Sequence, residues 1–208
     1  MELSKKDTKR RWSDPVFQAN AAALVPRLAS WSRAPSVMHP DTEKHFTTLG
    51  IRYVRGLKLL VGDERITRFE SSAHLQLPGE YREFLKRYGN MGFKQFVEYP
   101  LIDKECPWAS NGCCEISVFY GLDAGLNSYD LEKQFSSHVG RIPSDMLPIA
   151  VDSGGNLICL AFTGPDSGSL FFWDRDAEPE PGEQDLRTNV YLVARSFDDF
   201  LKSMRFMK

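Results

Sequence analysis

The chain has 208 residues, of which 42% are hydrophobic and 12% aromatic, and its net charge at pH 7 is −2. These values suit one domain with an appendage, and they exclude a chain that is disordered throughout, because this much apolar surface offsets the entropy of ordering. The small net charge hides an asymmetry. Residues 1–94 hold 17 Lys and Arg against 10 Asp and Glu, whereas residues 95–208 hold 9 against 18. This split favours recognition of a charged partner but does not define a fold.

Residues 1–60 differ in pattern from the rest of the chain. They hold four prolines and scattered apolar residues, although the i, i+7, i+11 spacing of Phe17, Leu24 and Leu28 predicts a short helical arm. We therefore expect a partly helical N-terminal extension over residues 1–60 and a main domain over residues 61–208. The extension either covers one face of the main domain or binds a partner, and both roles stay open.

The apolar runs and the cysteines of the sequence bear on the cellular location of the protein. No apolar run in the sequence reaches the length that a membrane-spanning helix needs. Basic residues 5–11 precede the apolar residues 16–25 and weakly imitate a signal peptide, but Pro15, Gln18 and Asn20 border or interrupt that run. The cysteines form no Cys-x-x-Cys pair, which favours reduced thiols. We therefore expect a cytoplasmic protein without membrane contact.

Two helices follow the extension. Asp63 is suited to cap the first, and Leu77-Pro78 opens the second, because the missing N–H of proline has no partner in a first helical turn. Gly89 follows the second helix, where a left-handed residue is expected. The inward-facing residues that set the 3.6-residue period are Ile66, Phe69 and Ala73 in the first helix and Leu77, Tyr81, Phe84, Leu85 and Tyr88 in the second.

Apolar runs bounded by turn residues predict the strands. The strongest is a hairpin around Gly154 and Gly155, both of which are expected to need positive φ. A short helix is predicted over residues 128–138, and Ser196 with Asp199 three residues later predicts a capped closing helix. The predicted strands are residues 93–99, 114–120, 146–151, 157–162, 170–173 and, as the last strand, 190–194.

This order of elements predicts an α+β fold, with one twisted, mostly antiparallel sheet and flanking helices. The order and spacing of its short motifs also resemble the SUKH superfamily, named partly for the yeast cell-wall regulators Smi and Knr. The resemblance covers about residues 62–206. The matching motifs are Glu64-x-Ile66-x-x-Phe69-Glu70, Leu77-Pro78-x-x-Tyr81-x-x-Phe84-Leu85, Gly89-Asn90-Met91-Gly92, Gly121-Leu122, Leu147-Pro148-Ile149-Ala150-x-Asp152-x-Gly154-Gly155-Asn156, Phe172-Trp173-Asp174 and Ala194-x-Ser196-Phe197-x-x-Phe200-Leu201.

The resemblance implies the same α+β architecture and a binding function. Bacterial members of the superfamily look mostly like immunity proteins, which bind and block a cognate secreted toxin that is often a nuclease or another nucleic-acid-modifying enzyme. Eukaryotic members look like scaffolds in regulatory assemblies and often carry long disordered tails. This chain lacks such tails, which favours the bacterial interpretation.

The sequence contains no pattern of residues that is typical of a catalytic, metal-binding or nucleotide-binding site. There is no Gly-x-Ser-x-Gly elbow, no calcium ligand ladder and no phosphate loop, and no spacing demands that a cysteine pair with His74 or His138. Basic residues near the N-terminus look like a solvated tail, so direct nucleic-acid binding is not expected. We therefore expect a non-enzymatic protein without cofactor, metal or catalytic residues. The cysteines are Cys106, Cys113, Cys114 and Cys159.

A recognition surface remains as the candidate site. The acidic stretch over residues 174–185 is either a solvated loop or an electrostatic lure for a basic toxin, in which case its carboxylates imitate the phosphates that the toxin's active site binds. Trp108, with Asn111 in the same long loop, is either an interface anchor or a cap on the core. The candidate acidic residues are Asp174, Asp176, Glu178, Glu180, Glu183 and Asp185.

The sequence thus predicts a cytoplasmic bacterial immunity protein that binds and neutralises a cognate toxin. A regulatory scaffold that binds a resident cellular protein, through residues 1–60, is the alternative. These two functions differ in the part of the chain that carries the affinity. If the protein is a scaffold, we expect deletion of residues 1–60 to abolish partner binding. If it is an immunity protein that binds through the main domain, we expect the deletion to spare most of the affinity.

Overall fold

The computed structural model describes residues 38–56, 58–109, 111–180 and 185–207. Within these residues it contains five α-helices and eight strands, so the predicted α+β class is confirmed. The helices are α1 Pro40–Thr48, α2 Asp63–Ala73, α3 Gly79–Tyr88, α4 Leu131–His138 and α5 Phe197–Ser203. The strands are β1 Ile51–Tyr53, β2 Met91–Pro100, β3 Cys113–Phe119, β4 Met146–Val151, β5 Leu157–Ala161, β6 Leu170–Trp173, β7 Val190–Ala194 and β8 Arg205–Phe206.

The described strands form one antiparallel sheet. Strands β1 to β7 follow one another in chain order, and β8 pairs with β2, beside β1. A register shift in β2 between Gly92 and Val97 displaces its pairing with β3. Such a bulge bends a strand and increases the local twist of the sheet. The mostly antiparallel sheet that the sequence predicts is therefore present, and the two-residue β8 corrects the prediction that residues 190–194 form the last strand.

The described end of the predicted extension is built into this domain. Phe46 of α1 is fully buried and makes edge-to-face contacts with Phe84 and Phe119. Strand β1 pairs with β2, with Ile51 opposite Phe93. The sequence did not predict helix α1, because α1 buries only two residues and these are too few to produce a helical period. The predicted helical arm around Phe17 lies outside the described residues.

The predicted apolar stripes of α2 and α3 are confirmed, with two differences at the helix ends. Gly62 rather than Asp63 is the N-cap residue of α2, and Asp63 lies in the first turn. Gly89 has an extended backbone, and the left-handed residue is Asn90, at φ 62°. The chain packs closely at this point, because a Cβ on Gly121 would lie 2.5 Å from the Asn90 nitrogen. Asn tolerates the left-handed region through local hydrogen bonding.

The predicted hairpin of β4 and β5 is confirmed, and its turn is held by one side chain. Asp152 accepts hydrogen bonds from the backbone N–H and the side-chain amide of Asn156, each at 2.8 Å. Gly155 adopts φ 90°, as expected, whereas Gly154 does not need a positive φ. The capped closing helix is also confirmed, because the Ser196 hydroxyl accepts the N–H of Asp199 at 3.1 Å.

Candidate partner-binding surface

Two long connections carry the residues that the sequence predicts for partner binding. The 101–112 loop joins β2 to β3 and contains Trp108 and Asn111. The 174–189 loop joins β6 to β7 and contains the acidic stretch. Loops of this length, positioned by a rigid sheet, are where binding residues concentrate.

The 101–112 loop is fixed by its backbone. The N–H groups of Ile102 and Asp103 both donate to the Leu192 carbonyl of β7, at 3.0 Å each. The Leu101 N–H donates to the Gly112 carbonyl at 3.0 Å and closes the base of the loop. Because these bonds hold the loop in shape, a partner that binds it has little ordering entropy to offset.

Two large apolar side chains of this loop face solvent. Trp108 and Ile102 are each 48% exposed, so both side chains are open to contact with a partner. Asn111 is also exposed and adopts φ 54°, which shapes the turn into β3. A half-exposed Trp on an anchored loop is the kind of residue that contributes most to binding at protein interfaces.

The first acidic residue of the 174–189 loop supports the loop rather than facing solvent. Asp174 is only 2% exposed, and its carboxylate accepts the Asp176 N–H at 2.9 Å. Its carbonyl oxygen accepts a hydrogen bond from the buried Asn189 side chain at 2.6 Å. The following residue, Arg175, donates its N–H to Asn156 of the β4–β5 turn at 3.0 Å. These bonds tie the loop to the sheet.

A second acidic residue is neutralised by an ion pair. The Glu178 carboxylate accepts two hydrogen bonds from the Arg141 guanidinium, at 2.6 and 2.5 Å. This contact holds the pKa of Glu178 below its ordinary value. Arg187 pairs in the same way with Asp145, so both ends of the loop are held against the segment between α4 and β4. Glu178 therefore contributes less free negative charge than the sequence suggests.

The remaining acidic residues are available at the surface. Asp176, Glu180 and Asp185 are exposed, and none forms an ion pair with another residue of the described chain. Glu183 lies outside the described residues. Free carboxylates of this kind attract a basic partner over a distance of about 10 Å at ordinary salt.

Strand β7 is common to both loops, because the 101–112 loop bonds to its Leu192 carbonyl and the 174–189 loop leads directly into its first residue. Burial raises the pKa of Tyr191, and the charges of Asp174, Asp103 and Glu105 raise it further. Asp103 and Glu105 were missed in the sequence because they do not belong to a charge run, although both lie within five residues of Trp108. We call Trp108, Asp103, Glu105 and Asp176 the two-loop surface.

Reactive chemistry has little support in the described residues. Burial raises the pKa of Cys106, Cys114 and Cys159, which keeps these cysteines as thiols. In the part of the chain that the structure describes, no three His, Cys, Asp or Glu side chains are placed to hold a metal ion. None of the described helices is long and apolar enough to cross a bilayer. The absence of enzymatic activity stays a prediction.

The fold and surface define an α+β domain with one antiparallel sheet and a preformed surface of an exposed Trp and unpaired carboxylates. Comparison with known sequences gives its family. The sequence model of the SMI1 / KNR4 family (SUKH-1) matches residues 60–203, and the chain belongs to this family. The chain is also 31% identical over 153 residues to the SPbeta prophage-derived uncharacterized protein YokK of Bacillus subtilis (strain 168), a match that covers 68% of this chain and 73% of that protein.

Proposed function

We propose that this protein is an immunity protein, which binds a cognate secreted bacterial toxin in the cytoplasm and neutralises it without catalysis. Membership of the SUKH-1 family supports this function. The similarity to a prophage-derived protein fits this function as well. The observation that carries the proposal is the half-exposed Trp108 on a loop that hydrogen bonds hold to β7.

Each part of the two-loop surface has a role in the proposed binding. Trp108 supplies a large, rigid contact area, and such aromatic anchors dominate the affinity of protein interfaces. The exposed carboxylates of Glu105 and Asp176, together with the partly exposed Asp103, raise the rate at which a basic partner arrives in the correct orientation. An anchored aromatic residue bordered by charges of one sign is suited to recognition of a macromolecule.

The same charges suggest which toxins are recognised. Enzymes that act on nucleic acids bind phosphates through Lys and Arg clusters. A surface with Asp176, Glu180 and Asp185 exposed offers carboxylates to such a cluster in place of phosphates. We therefore propose a nuclease or another nucleic-acid-acting toxin as the partner, with Glu183 and Asn111 as further contacts.

A co-expression experiment tests the proposed function. The C-terminal domain of a large secreted protein encoded beside this chain is expressed in a host with and without the chain. We expect arrested growth without the chain, restored growth with it, and a complex of the two proteins by size-exclusion chromatography. Growth that stays arrested, with the two proteins eluting separately, would show that the function is wrong for this pair.

Matched variants separate the surface from the function. Leu60 is 71% exposed and precedes α2, outside both loops, so Leu60→Ala removes exposed apolar area of similar kind. We expect Leu60→Ala to protect the host as the wild type does, and Trp108→Ala to protect it poorly. Equal protection by both variants would retain the immunity function and reject the two-loop surface.

A further inference from the structure

An apolar groove lies beside α5, away from the acidic 174–189 loop. It has a volume of about 290 Å³ and opens between the end of β2, strand β7 and helix α5. Ile102 is 48% exposed at this groove, so a large apolar side chain there is open to contact. The residues that line it include Leu101, Ile102, Val193, Ala194, Asp199 and Ser203.

The described chain begins beside helix α5, which forms one wall of this groove. The Met38 side chain is buried, and the His39 N–H donates to the Asp198 carboxylate of α5 at 3.2 Å. Asp198 is the neighbour of Asp199, which lines the groove. The residues that precede Met38 in the sequence therefore start from the N-terminal end of the helix that forms one wall. Seven extended residues span about 23 Å, so Trp31 is within reach of the groove.

The composition of residues 1–37 fits this location. They include Phe17, Leu24, Leu28 and Trp31, which need a surface to cover them, because a segment this short cannot bury its own apolar residues. They also hold seven Lys and Arg against three Asp and Glu. At the groove, Asp199 and Arg195 contribute one charge of each sign, and Lys104 donates to the Leu101 carbonyl at 3.1 Å, so apolar contact rather than charge favours this segment as the occupant.

We propose that residues 1–37 dock in this groove of the same chain, with apolar side chains from residues 17–31 as the occupants. Attachment at Met38 gives the segment a high effective concentration at the groove, in the millimolar range for short flexible connections. A separate partner at micromolar concentration competes poorly with such a tethered occupant. The inference goes beyond the toxin-binding function, and it gives the N-terminal segment a structural role next to the 101–112 loop.

Photo-crosslinking within the full chain tests the docking directly. Ile102 is replaced by a benzophenone amino acid, and light- and heavy-isotope copies of the protein are mixed before irradiation. We expect crosslinked peptides that join position 102 to residues 17–31 of the same copy. The same amino acid placed at Leu60, which is exposed outside the groove, is the control and is expected to give no crosslink to that segment.

Matched substitutions in the segment test whether apolar contact holds it. Leu24→Asp/Leu28→Asp is expected to weaken docking about a hundredfold and to lower the crosslink yield at least about tenfold, because each buried Leu contributes about a factor of ten. Gln18→Asp/Asn20→Asp adds the same charge without removing apolar groups and is expected to keep most of the yield. Crosslinks between light and heavy copies, crosslinks to other segments, or no crosslink to residues 17–31 would overturn the proposal. An unchanged yield in Leu24→Asp/Leu28→Asp would also overturn it.

Discussion

The 101–112 loop and the 174–189 loop use their most conspicuous side chains in opposite ways. In the first loop, the backbone bonds of Ile102 and Asp103 to β7 fix the shape and leave Trp108 exposed. In the second, the side chains fix the shape, because Asp174 is buried in a turn and Glu178 is paired with Arg141. Two polar side chains of the first loop, Asp103 and Lys104, also bond to its backbone, but its large exposed apolar side chains stay free for a partner.

Because of this difference, an acidic residue in the sequence does not always place a free negative charge at the surface. Of the acidic residues predicted for binding, Asp174 and Glu178 support the loop, whereas Asp176, Glu180 and Asp185 face solvent without an ion pair in the described chain. Substitution of the free carboxylates or of Trp108 is therefore expected to change the affinity for a partner. Substitution of the supporting carboxylates is expected to change the stability of the fold.

Trp108→Ala carries the largest expected effect. We expect it to weaken toxin binding by about 2 kcal/mol or more, as loss of a central aromatic anchor does. The free energy of unfolding should change by less than about 0.5 kcal/mol, because the side chain is half exposed. Isothermal titration and chemical denaturation measure the two quantities. A stability loss without an affinity loss would mean that Trp108 is part of the core.

Asp174→Ala is expected to show the reverse result. It removes the carboxylate that accepts the Asp176 N–H in a buried turn, which should lower the free energy of unfolding by about 1–2 kcal/mol. Chemical denaturation measures this loss, and toxin affinity should stay near the wild-type value. Asp174→Asn is the matched control, because its amide oxygen still accepts the bond. A large affinity loss with unchanged stability would place Asp174 in the interface.

Charge reversal of the exposed acidic residues should mainly slow association. We expect the variant Asp176→Lys/Glu180→Lys/Asp185→Lys to lower the association rate about tenfold at low salt and less at high salt. Stopped-flow mixing with the toxin measures this rate. Asp166→Lys in the β5–β6 turn reverses an exposed charge elsewhere and serves as the control. An association rate equal to that of the wild type would remove the electrostatic part of the account.

Arg141→Met should destabilise the protein by about 1 kcal/mol or less, because its ion pair with Glu178 is partly exposed and screened. The Arg141 guanidinium also lies 5.7 Å from the Trp173 ring centre, a cation–π contact that the variant loses. Glu178 has a lowered pKa, so its stabilisation is present above the unfolded pKa and is lost as pH falls. Thermal unfolding across acidic pH checks this, and a pH dependence equal to that of the wild type would contradict the pairing.

His138 gives the smallest effect, and it depends on pH. Burial lowers the pKa of His138, whose ring contacts Trp173 edge to face. The unfolded chain therefore takes up this proton more readily, and stability is lost as pH falls below about 6.5. In the His138→Asn variant, the free energy of unfolding should fall less between about pH 7.5 and about pH 5.5 than in the wild type, by on the order of 1 kcal/mol or less. An unchanged pH profile would show that this ring does not resist protonation.

Local pattern predicted the parts of the molecule in which neighbouring residues determine the structure. The apolar stripe through Tyr81 and Phe84 identified α3, and the Gly-rich turn identified the β4–β5 hairpin. Strand β8 and the left-handed Asn90 were missed, because the first has two residues and the second lies where the chain packs closely against the distant Gly121. Tertiary contacts of this kind leave no periodic signal in a sequence.

The candidate site shows the same limit. Composition marked the acidic stretch and the lone Trp108, but not which carboxylates are free. The partners of Glu178 and Asp174 are Arg141 and the Asp176 backbone, and only the fold brings Arg141 within reach. Asp103 and Glu105 enter the site because the 101–112 loop bonds to β7. Sequence identified the loops, and the fold determines which side chains they present.

Titration of toxin activity by the purified full chain tests the central claim most directly. Neutralisation by binding predicts that residual toxin activity falls linearly and reaches zero at about one molecule of protein per molecule of toxin. Complete inactivation at a small fraction of one equivalent would contradict the account, because it would require each molecule to act repeatedly on the toxin, as an enzyme does.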